Sequence, residues 1–173
     1  GALAAADERL HDLLQPSLQD QLSWYGPIRG WVTVRALLRK RKDKSTFVDI
    51  QPLDPRNTYW VKGKNGIEAA VHVTTMTRDQ IKRTYGKDIE PASETTGDDL
   101  GVNVYDYWNE TINHTVTSDV TLKEETEHGS PRMPVFLGPA GATPLVWDDK
   151  AGDKIKDVGE SIYKNARRTY EEE

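Results

Sequence analysis

Leu10, Leu14, Leu18 and Leu22 recur every fourth residue in an otherwise polar stretch, with Leu13 and Tyr25 close to the stripe. That spacing places them on one face of a helix and predicts helix across Asp7 to Tyr25. Pro16 interrupts the stripe, and a helix interior has no place for a residue without an N–H. The pattern therefore predicts one helix ending near Gln15 and a second starting at Pro16, or a kink there, with Gly26-Pro27 ending the helical stretch. Residues 1–29 read as helical and residues 30–75 as strands. In the latter, Trp31–Leu38 and Phe47–Ile50 are rich in β-branched and aromatic residues, and the polar run Lys40–Lys44 lies between them. The corner Gln51–Arg56 holds two prolines three apart, which dictate an extended or turned path. Thr58–Val61 and Ile67–Val73 flank Asn65-Gly66, a strong hairpin signal.

Residues 76–86 predict a short helix. Thr77 stands at the N-cap, Gln80 at the capping-box position, and Gly86 suits the residue after the end. Residues 87–101 carry no hydrophobic period and read as loop. Residues 102–147 return to strands: Val102–Trp108 alternates, Asn109-Glu110 turns it back, and Thr111–Leu122 supplies the return. Glu124–Ser130 reads as loop again, Val135–Leu137 as a short strand, and Leu145–Trp147 as the last apolar cluster before residues 155–173. Those residues read as a helix in which the chain stops without a stop signal, so it looks truncated. Helices at both ends with mainly antiparallel strands between predict the α+β class, as a single domain over 1–173.

Composition narrows the function classes. Hydrophobic residues make up only 36% of the 173, yet five Trp, seven Tyr and two Phe supply enough large apolar surface for a folded core. The absence of Cys excludes disulfides, Cys-ligated metals and a Cys nucleophile, and a reducing cytoplasm is the simplest fit. No apolar run reaches the length of a membrane span, and the first residues lack the features of a signal peptide. The net charge is −5, but residues 1–44 carry eight Lys/Arg against five Asp/Glu. Wrapping nucleic acid with the whole surface is thus disfavoured, while a local basic contact stays open.

Candidate chemistry is sparse. Phosphate-cradling and dinucleotide-binding glycine motifs and the nucleophile-elbow motif are absent. His11, His72, His114 and His128 lie far apart, and His72 reads as a sheet-face residue. Two glycosylation sequons, at Asn109 and Asn113, read as strand-and-turn composition. Arg39, Lys40, Arg41 and Lys42 read first as a solvated hairpin loop, and otherwise as a contact to DNA or to a neighbouring subunit's acidic surface. The tryptophans read first as core, and otherwise as interface, with Trp60, Trp108 and Trp147 as the candidate subunit contacts. No catalytic, metal or cofactor residues are assigned.

Several segments, in order, resemble the portal (head–tail connector) protein of tailed bacteriophages: Asp7–Leu10 and Leu13–Asp20; Ile28–Leu38; Asp49–Arg56 with Tyr59-Trp60; Val104–Trp108; Met133–Val135; Gly141–Leu145; and Gly159–Tyr163 with Asn165 and Arg167. The similarity spans nearly the whole chain, although Glu90–Gly101 matches no family motif. It implies the wing region of a portal subunit, part of a homo-oligomeric ring of about twelve copies. Such a ring joins head to tail and forms the channel for packaging and ejecting double-stranded DNA. Its implied partners are the terminase, capsid and tail-adaptor proteins, with no membrane and no cofactor. Its implied location is the virion, and the host or lysogen cytoplasm during assembly. Portals are much longer than this chain, which lacks everything after the final helix of the match. An acidic balance suits a conduit, because many phosphate-binding cations would hold the duplex.

Three other readings stand beside it. One is a different phage structural module, a tail adaptor or capsid-associated protein. Another is a phage-encoded metal-dependent nuclease or hydrolase using Asp54, Asp98, Asp99 and Asp106. The third is a small nucleic-acid-binding module.

Overall fold

The computed structural model describes residues 2–41, 43–64, 66–89, 101–140 and 161. In chain order the elements are α1 (Ala2–Asp12), α2 (Leu18–Arg29), β1 (Trp31–Lys40), β2 (Thr46–Leu53), a 3-10 turn (Pro55–Asn57), β3 (Thr58–Gly63), β4 (Gly66–Met76), α3 (Arg78–Tyr85), β5 (Val102–Asn109), β6 (Ile112–Val116), β7 (Thr121–Glu127) and β8 (Val135–Pro139). The fold is α+β, as the pattern predicts. The predicted single domain resolves into two compact units, the first from Gly1–Arg56 and Val135–Glu173, the second from Asn57–Pro134.

The first unit is built on an antiparallel sheet in the order β2-β1-β8. Pairing of Thr33 with Leu53 and Leu37 with Asp49 puts these four buried residues on one face, since alternate residues of a strand share a side. α1 packs against β2, with Ala6 and Leu10 fully buried. Asp7 Oδ1 accepts from the Leu18 N–H at 2.8 Å and Ser17 Oγ from the Asp20 N–H at 3.1 Å, so α1 and the linker together cap α2. Gly26 lets α2 come close to the sheet: a Cβ there would stand 3.2 Å from the Ala140 Cβ.

The second unit is a five-stranded antiparallel meander, β3-β4-β5-β6-β7. Its core lies where α3 covers one end of one face. Ile81 meets Val104 and Leu122, ringed by Met76, Tyr85, Ile89, Val102 and Val120. α3 starts where predicted: Thr77 and Gln80 form a full capping box, and Gly86 ends the helix at φ 68°.

Two expectations need correction. α2 does not end at Gly26-Pro27 but continues to Arg29. In the last turn the missing Pro27 N–H forfeits only one bond, and Gly30, left-handed at φ 74° and donating to the Gly26 carbonyl, provides the stop. Glu124–Glu127 is not loop but the second half of β7. As an outer strand it needs one ladder only and buries little, so the hydrophobic signal is missing. Pro52 takes the extended of the two paths open to the corner: it lies within β2, opposite Val34, on a strand at the sheet edge. The apolar cluster Leu145–Trp147, the loop over 90–100 and the predicted helix over 155–173 (Ser161 apart) lie outside the described residues.

Candidate interaction sites

The basic run straddles the end of β1 and the turn into β2: Arg39 and Lys40 are the last residues of β1, and the turn follows from Arg41. β1 and β2 pair as far as Lys40 and Thr46, and Arg41 and Ser45 close the loop through a 2.8 Å backbone bond. Asp43 Oδ1 accepts from the Ser45 N–H at 2.9 Å and from its hydroxyl at 2.6 Å. These bonds hold the Asp43 carboxyl below its ordinary range, because they favour the charged form. Lys44 turns the loop at φ 68°.

Three of the four predicted cations are described, and their surroundings differ. Lys40 and Arg41 are exposed, and the Arg41 guanidinium lies 5.2 Å from the Phe47 ring centre. Lys42 lies outside the described residues. Arg39 is half-exposed but ion-paired, its Nε 2.6 Å from Asp49 Oδ2.

Asp49, the first residue of the segment Asp49–Arg56, is a charge centre absent from the candidate residues read in the sequence. Its side chain is 8% exposed, and Arg9 of α1 and Arg35 of β1 reach it at 3.4 and 3.9 Å in addition to Arg39. Arg35 also donates to Gln51 Oε1, its cross-strand partner. Three guanidiniums on one carboxylate leave a local surplus of positive charge at the base of the hairpin.

The second unit has a centre of different chemistry. Thr58, His72, Asp106, Thr115 and Lys123 are successive cross-strand partners, one from each strand, forming a polar row across the sheet. Asp106 accepts from Trp108 Nε1 at 2.7 Å, Asn113 Nδ2 at 2.8 Å and Thr115 Oγ1 at 3.1 Å. Lys123 donates to Asn113 Oδ1, and Thr58 Oγ1 lies 3.0 Å from His72 Nδ1. His72 thus stands on a sheet face within a hydrogen-bonded row.

The three candidate aromatics part company here. Trp108 is 3% exposed, and its indole N–H donates to Asp106, so it is a core residue. Trp60 is 40% exposed on the outer strand β3, between Tyr59 and Val61, which are more exposed still. Trp147 lies outside the described residues. Of the sequons, Asn113 is 2% exposed, which closes it to modification in the folded chain. Asn109 folds back on its own turn, accepting from the Thr111 and Ile112 N–H groups.

An open cleft of about 400 Å³ is lined by Pro16, Asp20, Gln21, Trp24 and Tyr25. Arg29 stacks 4.9 Å above Trp24 and pairs with Asp54 at 3.2 Å, tying the end of α2 to the corner after β2. Burial, then the Asp54 charge, raises the Tyr25 pKa, and Arg29 partly offsets this.

Of the carboxylates in the hydrolase reading, Asp98 and Asp99 lie outside the described residues. Asp54 and Asp106 belong to different units, each bonded within its own. Among the described residues no three His, Asp or Glu side chains gather as metal ligands, and no helix is long and apolar enough to cross a membrane. The described surface offers charge, aromatic faces and open sheet edges for contact. No family model matches the chain, and no curated protein matches it.

Proposed function

We propose that this chain is a structural part of a phage portal, the wing-like region of a ring subunit at the channel through which DNA enters and leaves the head. One observation carries the reading: the segments with portal-like sequence coincide with the residues that hold each unit together. Asp49 gathers three arginines, and Asp54 pairs with Arg29. Asp106 and Trp108 form the centre of the five-stranded sheet. Met133, Pro134 and Val135, at the passage from the second unit back to the first, are all buried. A resemblance that includes framework residues fits a protein whose task is to hold a shape and meet neighbours.

In this role the exposed cations Lys40 and Arg41 face another macromolecule, and the exposed Tyr59, Trp60 and Val61 of β3 are surface for subunit or adaptor contacts. The test is genetic. A phage whose parent gene carries an early stop should accumulate shells without DNA, and supplying the intact gene in trans should restore filled heads. Normal filling without the gene would refute the portal reading.

A further inference from the structure

Two surfaces of opposite sign make no ion pair among the described residues. On β7, Leu122 points into the core and Lys123 turns to Asn113, while Glu124, Glu125 and Glu127 are exposed. Exposed Glu110 sits in the β5–β6 turn. That turn lies beside the end of β7, where the His128 N–H donates to the Thr111 carbonyl at 3.1 Å. None of these four carboxylates makes an ion pair among the described residues. At the tip of the β1–β2 hairpin, Lys40, Arg41 and Lys44 are exposed and likewise make no ion pair there; the one acid among them, Asp43, is hydrogen-bonded to Ser45 and also feels the Arg41 charge.

We infer that the basic hairpin tip of one copy docks on the acidic outer strand β7 of another copy. This rests on the preceding proposal only in that copies of the chain stand side by side. Glutamates along an outer strand keep a second sheet edge from adding to it. The same charges attract a basic protrusion, and the chain itself carries one of matching sign and similar charge. Nucleic acid is the weaker occupant for the hairpin, since an acidic carboxylate stands among its few cations and the chain as a whole is at −5. Because the two patches are different surfaces of one chain, the contact is head-to-tail, the kind that closes rings.

The test is a charge swap followed by sedimentation of the 173-residue chain at low ionic strength. Lys40→Glu with Arg41→Glu, and separately Glu124→Lys with Glu125→Lys, should each weaken self-association roughly tenfold or more. An equimolar mixture of the two variants should associate again, because each then offers what the other lacks. Arg39 and Lys123 are left intact because they hold their own units, and unchanged melting temperatures check that the variants are folded. Variants that associate like the parent, a mixture that stays apart, or a parent chain monomeric at all concentrations would each overturn the inference. If the complete polypeptide forms rings indifferent to the swaps, this contact falls while the portal reading stands. If the swaps behave as expected but shells fill without the gene, the contact stands and the portal reading falls.

Discussion

Each unit gathers several donors on one aspartate, and the donors differ in kind. Asp49 of the first unit is met by three guanidiniums, two of them on side chains 42% and 48% exposed. Asp106 of the second accepts from an indole N–H, an amide and a hydroxyl of its own sheet. A charge-paired centre draws together elements distant in sequence, here α1, β1 and β2. Its cationic partners also keep one end in water, which leaves residual positive charge at the surface. The donors on Asp106 come from β5 and β6 and so fix a strand register. The first unit thus carries a potential contact surface as a by-product of its own framework, and the second carries its surface on its edges.

The largest expected effect lies in the second unit. Ile81→Ala removes the only α3 side chain that is fully buried and should cost about 4 kcal/mol, within the roughly 2–5 range for such truncations, read by urea unfolding. Asp49→Ala should cost about 3 kcal/mol, at the lower end for a buried pair, because Arg9 and Arg39 can re-solvate once freed. Asp106→Asn keeps the shape but turns an N–H toward a donor, for an expected loss of about 2 kcal/mol. If Asp49→Ala cost less than Asp106→Asn, the contrast between the two centres would be reversed. Thr77→Ala should cost about 1 kcal/mol by removing one half of the capping box.

The smallest effect is a pH dependence. Asp43 has its carboxyl held below the ordinary 3.8, so its contribution to the hairpin turn is present above that value. It is lost as the pH falls through the lower folded-state value. The protection of the Ser45 amide against exchange, taken relative to an unstructured amide at the same pH and followed by NMR, should therefore fall only in strong acid. A loss of protection already above about pH 4, the ordinary carboxylate range, would show that the turn does not depend on this carboxylate.

Much of the fold was legible in the sequence wherever a local rule acts alone. The Thr77–Gln80 box and Gly86 marked α3 at both ends, and the polar run after Lys40 marked a hairpin. The four-residue leucine stripe marked two helices broken near Pro16. What escaped has physical reasons. The edge strand β7 needs neither alternation nor burial, so Glu124–Glu127 resembled loop. Gly30 stops α2 more firmly than Pro27 interrupts it.

Of the candidate sites, Lys40 and Arg41 were readable as exposed cations, but the ion pair that holds Arg39 was not. Seeing it requires the hairpin register, which sets Asp49 opposite Leu37, between Arg35 and Arg39 on the same face. The period-2 rule applied across the hairpin held this signal. Arg9 could not be found in that way, because it reaches Asp49 only once α1 lies on β2. Trp108 looked like Trp60 in sequence, and only the Asp106 bond and the fold's interior separate them.

The complete polypeptide of the parent gene, purified under native conditions and imaged by electron microscopy, offers the most direct test of the structural role. A closed ring of about a dozen copies around a central hole is the expected particle. A particle that stays monomeric even in the presence of its own shell and scaffold proteins would contradict it.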